Sequence, residues 1–199
     1  MTLTDDLLKS LPEGRVVEVR IGTHWTVVVI EESGELRCGL AATLKEPLDH
    51  HRRPDVPQAG KLETYPALEL AQMIYSERPC LKSIATATIN ALLPNGSWQG
   101  AEMNAEDGIK TEGAGKEVAL IGSFPFIEAL SASVGKLWIL EQNPQANELP
   151  EEAAPEVLPQ ADLVAITGMT FTNGTLENLL QHCREDAIVL ILGPSTPLS

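Results

Sequence analysis

The nine-residue run TGMTFTNGT, from Thr167 to Thr175, holds four threonines, an asparagine and two glycines. Hydroxyls, an amide and close backbone approach are the equipment of a loop that hydrogen-bonds a small polar ligand. Asn173 or Thr175 is placed to cap the helix that should follow, with Glu177 in its first turn. The backbone N–H groups of such a helix start suit a carboxylate or another anion, so the expected ligand carries a negative group. Gly122 and Glu141 stand 19 residues apart. An acidic residue at that distance from a first-turn glycine holds ribose hydroxyls in dinucleotide-binding folds. Here Gly122 stands alone, and Phe124 and Pro125 occupy places where further glycines would admit a pyrophosphate. The competing reading is that Glu141 ends a strand in solvent. Asn143, Thr170 and Gly174, and Ser195 and Thr196 in the closing GPSTPLS, complete the polar loop residues.

Metal and nucleophile patterns are weaker. Asp49-His50-His51 could converge in a loop, but Arg52 and Arg53 follow, which favours a solvated polar segment. His182 and Cys183 are neighbours on a helical stretch, about 100° apart, and do not readily share one ion. His24 falls in a turn with no visible partner. The three cysteines, Cys38, Cys80 and Cys183, form no CxxC and lie far apart, which argues against a disulfide framework or a zinc finger. No Ser-His-Asp, Cys-His or paired-carboxylate arrangement emerges.

The elements that must hold these loops fall into two parts. Residues 4–11 have the spacing of a short amphipathic helix, ended by Pro12-Glu13-Gly14. Residues 16–21, 25–30 and 36–41 read as an antiparallel meander, with Val17, Val19 and Ile21 alternating against Glu18 and Arg20. A polar, Pro-rich loop over 45–61 follows. Helices are expected over 66–76, with Pro66 in the first turn, and over 81–93, where Ser83, Ala87 and Ala91 make a stripe that permits close approach. Residues 95–116, rich in glycine, read as a linker anchored by Trp98 and Met103. Beyond it, 118–121, 137–140, 163–166 and Ile188–Leu192 are continuous apolar runs, the mark of parallel strands buried on both faces. Helices are expected over 126–134 and 175–184, and 143–160 is at best a short helix. The fold class is therefore a small α+β domain over 1–112, with its linker, followed over 113–199 by a Rossmann-like α/β parallel sheet. No helix returns over the last strand, so that domain reads as truncated, or as covered at its edge by a second subunit.

Composition narrows the partners. The chain has 199 residues, 43% of them hydrophobic and 21% charged, with a net charge of −14. Such an acidic chain repels phosphate backbones and anionic membrane surfaces, so neither nucleic acid nor a membrane is an expected partner. A start of MTLTDDLLKSLPEG is unlike a signal peptide, and the longest uncharged stretch, broken by Asn90, Pro94, Asn95 and Gly96, does not suit a bilayer. A cytoplasmic, soluble homo-oligomer is expected.

VALIGSFPF (118–126), LEQNP (140–144), ADLVAITGMTFTNGTLENLL (161–180) and LGPSTPLS (192–199), in that order, resemble the bacterial and archaeal heavy-metal chelation domain family. SIATATINA (83–91) and the hairpin over 22–41 are similar to its amino-terminal domain. The resemblance implies an enolase amino-terminal-like α+β domain joined to a Rossmann-like domain, a ligand site between them, and a chain that continues past GPSTPLS. It implies Asn90, Gly122, Phe124, Glu141, Asn143, Thr167, Thr170, Asn173, Gly174, Ser195 and Thr196 as site-lining residues. These motifs hold no His or Cys, so chelation would use oxygen ligands, a divalent metal included, or a small molecule that itself binds metal. Two further readings stay open: a nucleotide or S-adenosylmethionine binder, and a non-catalytic assembly or regulatory subunit.

Overall fold

The computed structural model describes residues 2–45, 56–94 and 103–198. Contacts divide the chain into two compact units. One comprises Met1–Gly96 with Gly168–Gly174 and Gly193–Ser199; the other comprises Ser97–Thr167 and Thr175–Leu192. The polar run around Thr170 and the closing GPSTPLS thus fold with the first unit. Among the described residues no helix is long and apolar enough to cross a membrane.

In the first unit, α1 (Leu3–Ser10) opens with a capping box. The Thr2 hydroxyl accepts from the Asp5 N–H, and the Asp5 carboxylate accepts from the Thr2 N–H. β1 (Arg15–Ile21), β2 (Trp25–Glu32) and β3 (Glu35–Ala42) form the expected antiparallel meander in the order β1-β2-β3. One detail differs from the alternation expected of β1. A bulge between Val16 and Glu18 lets Val16 pair with Ile30 and Val19 with Val28, so Val16 is the buried residue and Val17 drops out of the ladder.

After β3 come α2 (Ala67–Gln72), which Pro66 precedes as the N-cap residue, and α3 (Pro79–Leu92). The small stripe of α3 acts as expected. A β-carbon on Gly39 of β3 would stand 1.9 Å from the Ala87 carbonyl oxygen and 2.4 Å from the Ala91 nitrogen. Backbone therefore meets backbone, and only glycine fits. The Ser83 hydroxyl accepts the Leu44 N–H at 2.8 Å.

The second unit begins with a correction. The expected linker contains α4 (Ala105–Glu112), whose N-terminus is capped by the Asn104 side chain accepting from the Glu106 N–H. Ile109, fully buried, packs α4 into the unit's core with Val118, Leu120, Leu130, Leu163 and Ala165. Met103 is 63% exposed; Trp98 lies outside the described residues, as do His50 and His51.

The parallel sheet comprises β4 (Glu117–Ile121), β5 (Lys136–Glu141), β6 (Leu149–Pro150), β7 (Leu163–Thr167) and β8 (Ile188–Leu192), in the order β6-β5-β4-β7-β8. All four expected strands are present and parallel; β6 is an addition inside 143–160. The connections are α5 (Ile127–Ser131), α6 (Ala154–Val157) and α8 (Leu176–His182). β4 and β7 are buried on both faces, whereas β5 and β8 are mostly half-buried. The outer strands are less covered because α5 and α6 are only five and four residues long and β8 is an edge strand. The strand order reverses between β4 and β7, the switch point of a Rossmann-like sheet.

The run between β7 and α8 holds a further correction. It is not an open loop: Met169–Asn173 form α7, ended by Gly174 in the left-handed conformation with φ +88°. This helix belongs to the first unit.

Candidate functional site

The candidate polar residues of the first unit come from three elements. On α3, Lys82, Thr86 and Asn90 recur every four residues and so share one face. This face adjoins the small stripe that packs on β3. From α7 come Thr170, Thr172 and Asn173, and from the closing segment Ser195 and Thr196. α3 packs against α7 and β3, and α7 against β3.

Hydrogen bonds tie the three pieces together. The Asn90 amide nitrogen donates to the Leu40 carbonyl at 2.9 Å and to the Pro194 carbonyl at 3.4 Å. The buried Ser195 hydroxyl accepts the Ala42 N–H at 2.8 Å. The Lys82 ammonium donates to the Asn173 carbonyl at 3.1 Å, at the carbonyl end of α7, where a cation is favoured. At the other end of α7, a β-carbon on Gly168 would meet the Thr196 hydroxyl at 2.6 Å and its nitrogen at 2.8 Å. Gly168 thus lets the α7 start lie directly on the closing segment.

What these bonds leave over is informative. Buried side-chain oxygens of Thr86, Asn90, Thr172 and Thr196 have no hydrogen-bond partner among the described residues. An unmade buried hydrogen bond costs about 1–3 kcal/mol, so each such oxygen calls for an account. None of the eight named side chains is a carboxylate; Lys82 supplies the one charge. In a chain of net charge −14, hydroxyls, an amide and an ammonium without a neighbouring carboxylate among these eight are groups whose chemistry suits an oxygen-rich anion.

The remaining sequence candidates lie in the second unit. Gly122, with φ +106°, closes β4, and a β-carbon there would stand 2.9 Å from the Thr167 methyl. Gly122 and Thr167 therefore meet at the switch point. Phe124 stacks on Phe126 with centroids 5.3 Å apart, and both pack on the sheet's core. The Glu141 carboxylate accepts the N–H of its neighbour Gln142 at 3.3 Å, and Asn143 is exposed. Thr175 precedes α8 but makes no side-chain cap bond, and Asn173 ends α7 instead of capping α8. Thr175 thus takes the expected N-cap position, with Glu177 in the first turn, but without the side-chain bond.

A bound heavy-metal ion asks for softer ligands, thiolate or imidazole above all. Among the described residues, no three His, Cys, Asp or Glu side chains are grouped to hold an ion. Burial pushes the Cys183 thiol up from its ordinary pKa, which keeps it protonated and a poor ligand. These residues do not fit a directly coordinated heavy metal. Lys82, Thr86 and Thr172 were not among the residues singled out from the sequence. The signal that could have found them is the spacing of Lys82, Thr86 and Asn90, one position before the small stripe.

Comparison with known proteins agrees with this architecture. Residues 107–199 match the DUF364 family model and residues 4–93 the DUF4213 model, both described as "Putative heavy-metal chelation". An uncharacterised protein of Methanocaldococcus jannaschii is 25% identical over 190 residues, covering 91% of this chain and 71% of that protein. The crystal structure of a DUF364-family protein of unknown function from Desulfitobacterium hafniense is similar, with a TM-score of 0.80 and 27% identity; the match covers 98% of this chain and 78% of that one. A second DUF364-family structure, from Pyrococcus horikoshii and also of unknown function, matches with a TM-score of 0.78 at 19% identity over 96% of this chain and 77% of that one. The latter likeness speaks to the fold alone.

Proposed function

The chain belongs to the family described as putative heavy-metal chelation, and on that premise we propose that it binds a small, anionic, oxygen-rich chelator and handles metal as that molecule's complex. The observation that carries this reading is the set of partnerless buried oxygens on Thr86, Asn90, Thr172 and Thr196. They lie on the three elements that Lys82, Asn90, Gly168 and Ser195 hold together. Hydroxyls and an amide recognise the carboxylate, carbonyl or hydroxyl oxygens of a ligand. An ammonium on the same helix face adds charge recognition. A site of this kind holds the chelator's periphery and leaves the metal's own coordination to the chelator. The family's description and a donor set without grouped thiolates or imidazoles are then compatible.

The test is calorimetric titration of the full chain with citrate, tartrate and a hydroxamate, each free and loaded with iron(III), and with Cd2+ and Zn2+ as bare ions. The reading expects saturable binding of at least one chelator or its complex, weakened in Asn90→Ala. Saturable binding of the bare ions alone would overturn it.

A further inference from the structure

We propose that the outer face of the β1–β2–β3 sheet is an association surface for a second copy of this chain. Cross-strand partners in an antiparallel pair lie on the same face, so the register assigns every residue. Thr26, Val28 and Ile30 of β2, with Ala41 and Gly39 of β3, form the inner face, buried under α3. The outer face carries Trp25, Val27 and Val29 of β2 beside Leu40, Cys38 and Leu36 of β3.

An antiparallel sheet with one covered face normally turns polar residues outward. Here the outer residues of two adjacent strands are apolar except for Glu31, which lies opposite Leu36. Trp25 is 45% and Leu36 70% exposed, while Val27, Val29 and Leu40 are half-buried. A contiguous apolar face of this kind marks an interaction site.

Charge identifies the occupant. The charged residues of β1 and β2 on this face are Glu18 and Arg20, paired with each other at 2.6 Å, and Arg15 and Glu31, paired across the two strands. They sum to zero on a chain whose net charge is −14. A neutral apolar face is where two equally acidic molecules can approach without strong repulsion. The Glu18–Arg20 row is also its own complement: a two-fold axis through the face sets each Arg20 towards the Glu18 of the other copy, as an isologous interface requires. Two such sheets stack about 10 Å apart in the manner of a β-sandwich. Three strands make a small interface, so the dimer should depend on concentration.

Sedimentation velocity of the full chain over a wide concentration range tests this. Wild type should pass from monomer to dimer as concentration rises. Leu36→Lys and Trp25→Lys should raise the dissociation constant about tenfold or more. Leu36 is already largely in water, so its variant should keep the wild-type circular dichroism. Leu198→Lys, at an equally exposed leucine outside the three strands, should change nothing. A wild type that stays monomeric throughout overturns the proposal, and so does a dimer that both sheet variants leave intact.

Discussion

At the scale of single residues, the sharpest electrostatic feature is a local one. The Tyr75 hydroxyl donates to the Asp5 carboxylate at 2.5 Å and, with the Thr2 N–H and hydroxyl, holds its pKa down from 3.8 to about 2. A carboxyl depressed in the folded state contributes stability that is present above the unfolded pKa. That stability is lost as pH falls from near 4 through about 2. Tyr75→Phe should therefore raise the Asp5 pKa, visible by NMR titration, and lower the melting temperature at pH 7 slightly. The difference from wild type should vanish at the acid end; a gap that persists unchanged at pH 2 would show that the tyrosine acts by packing alone. The candidate-site hydroxyls make the opposite kind of residue. Thr196 Oγ1 has no partner among the described residues, so Thr196→Val should leave stability nearly unchanged or raise it. The same variant should weaken chelator binding, and a melting temperature that falls by many degrees would show that the hydroxyl is already satisfied.

At the scale of elements, the constraints are steric, and glycine sets two of them. Gly39→Ala drives a methyl into the α3 backbone at Ala87 and Ala91, where no side chain can swing away. Unfolding should become easier by about 3 kcal/mol or more, beyond ordinary overpacking, as measured by urea denaturation. Gly168→Ala presses on Thr196 at the α7 start and should reduce ligand binding as well as stability. Some elements are plain in the sequence and others are hidden in it. The four parallel strands are legible because their apolar runs are unbroken, and the α3 stripe because Ser83, Ala87 and Ala91 recur every four residues. α4 is hidden by Gly108 and by the glycines around it, although Asn104, Glu106 and Lys110 mark a capped helix with an i,i+4 ion pair. α7 is hidden because three of its five residues, two threonines and an asparagine, are weak helix formers. It forms because Gly174 ends it and Lys82 meets its last carbonyl, and a contact 91 residues away in sequence leaves no local trace. The bulge in β1 is invisible for the same reason: it is set by the pairing with β2.

At the scale of the molecule, the chain returns twice to its first unit, at Gly168–Gly174 and again at Gly193–Ser199. Motifs that looked like loops of the parallel sheet thereby join Asn90 on α3. The candidate site was legible as a set of residue types, since Asn90, Thr170, Asn173, Ser195 and Thr196 were all singled out. What was missing was their grouping with Lys82, Thr86 and Thr172, which only the packing of α3 against α7 supplies. The most direct test of the account is a paired calorimetric titration of wild type and Asn90→Ala with iron(III)-loaded citrate, tartrate and hydroxamate, set against Cd2+ alone. The account predicts saturable binding of a chelate by wild type, an affinity reduced about tenfold or more in Asn90→Ala through the loss of one buried hydrogen-bonding group, and no saturable uptake of Cd2+. Stoichiometric Cd2+ binding that Asn90→Ala leaves untouched, with no chelate bound by either protein, would contradict it.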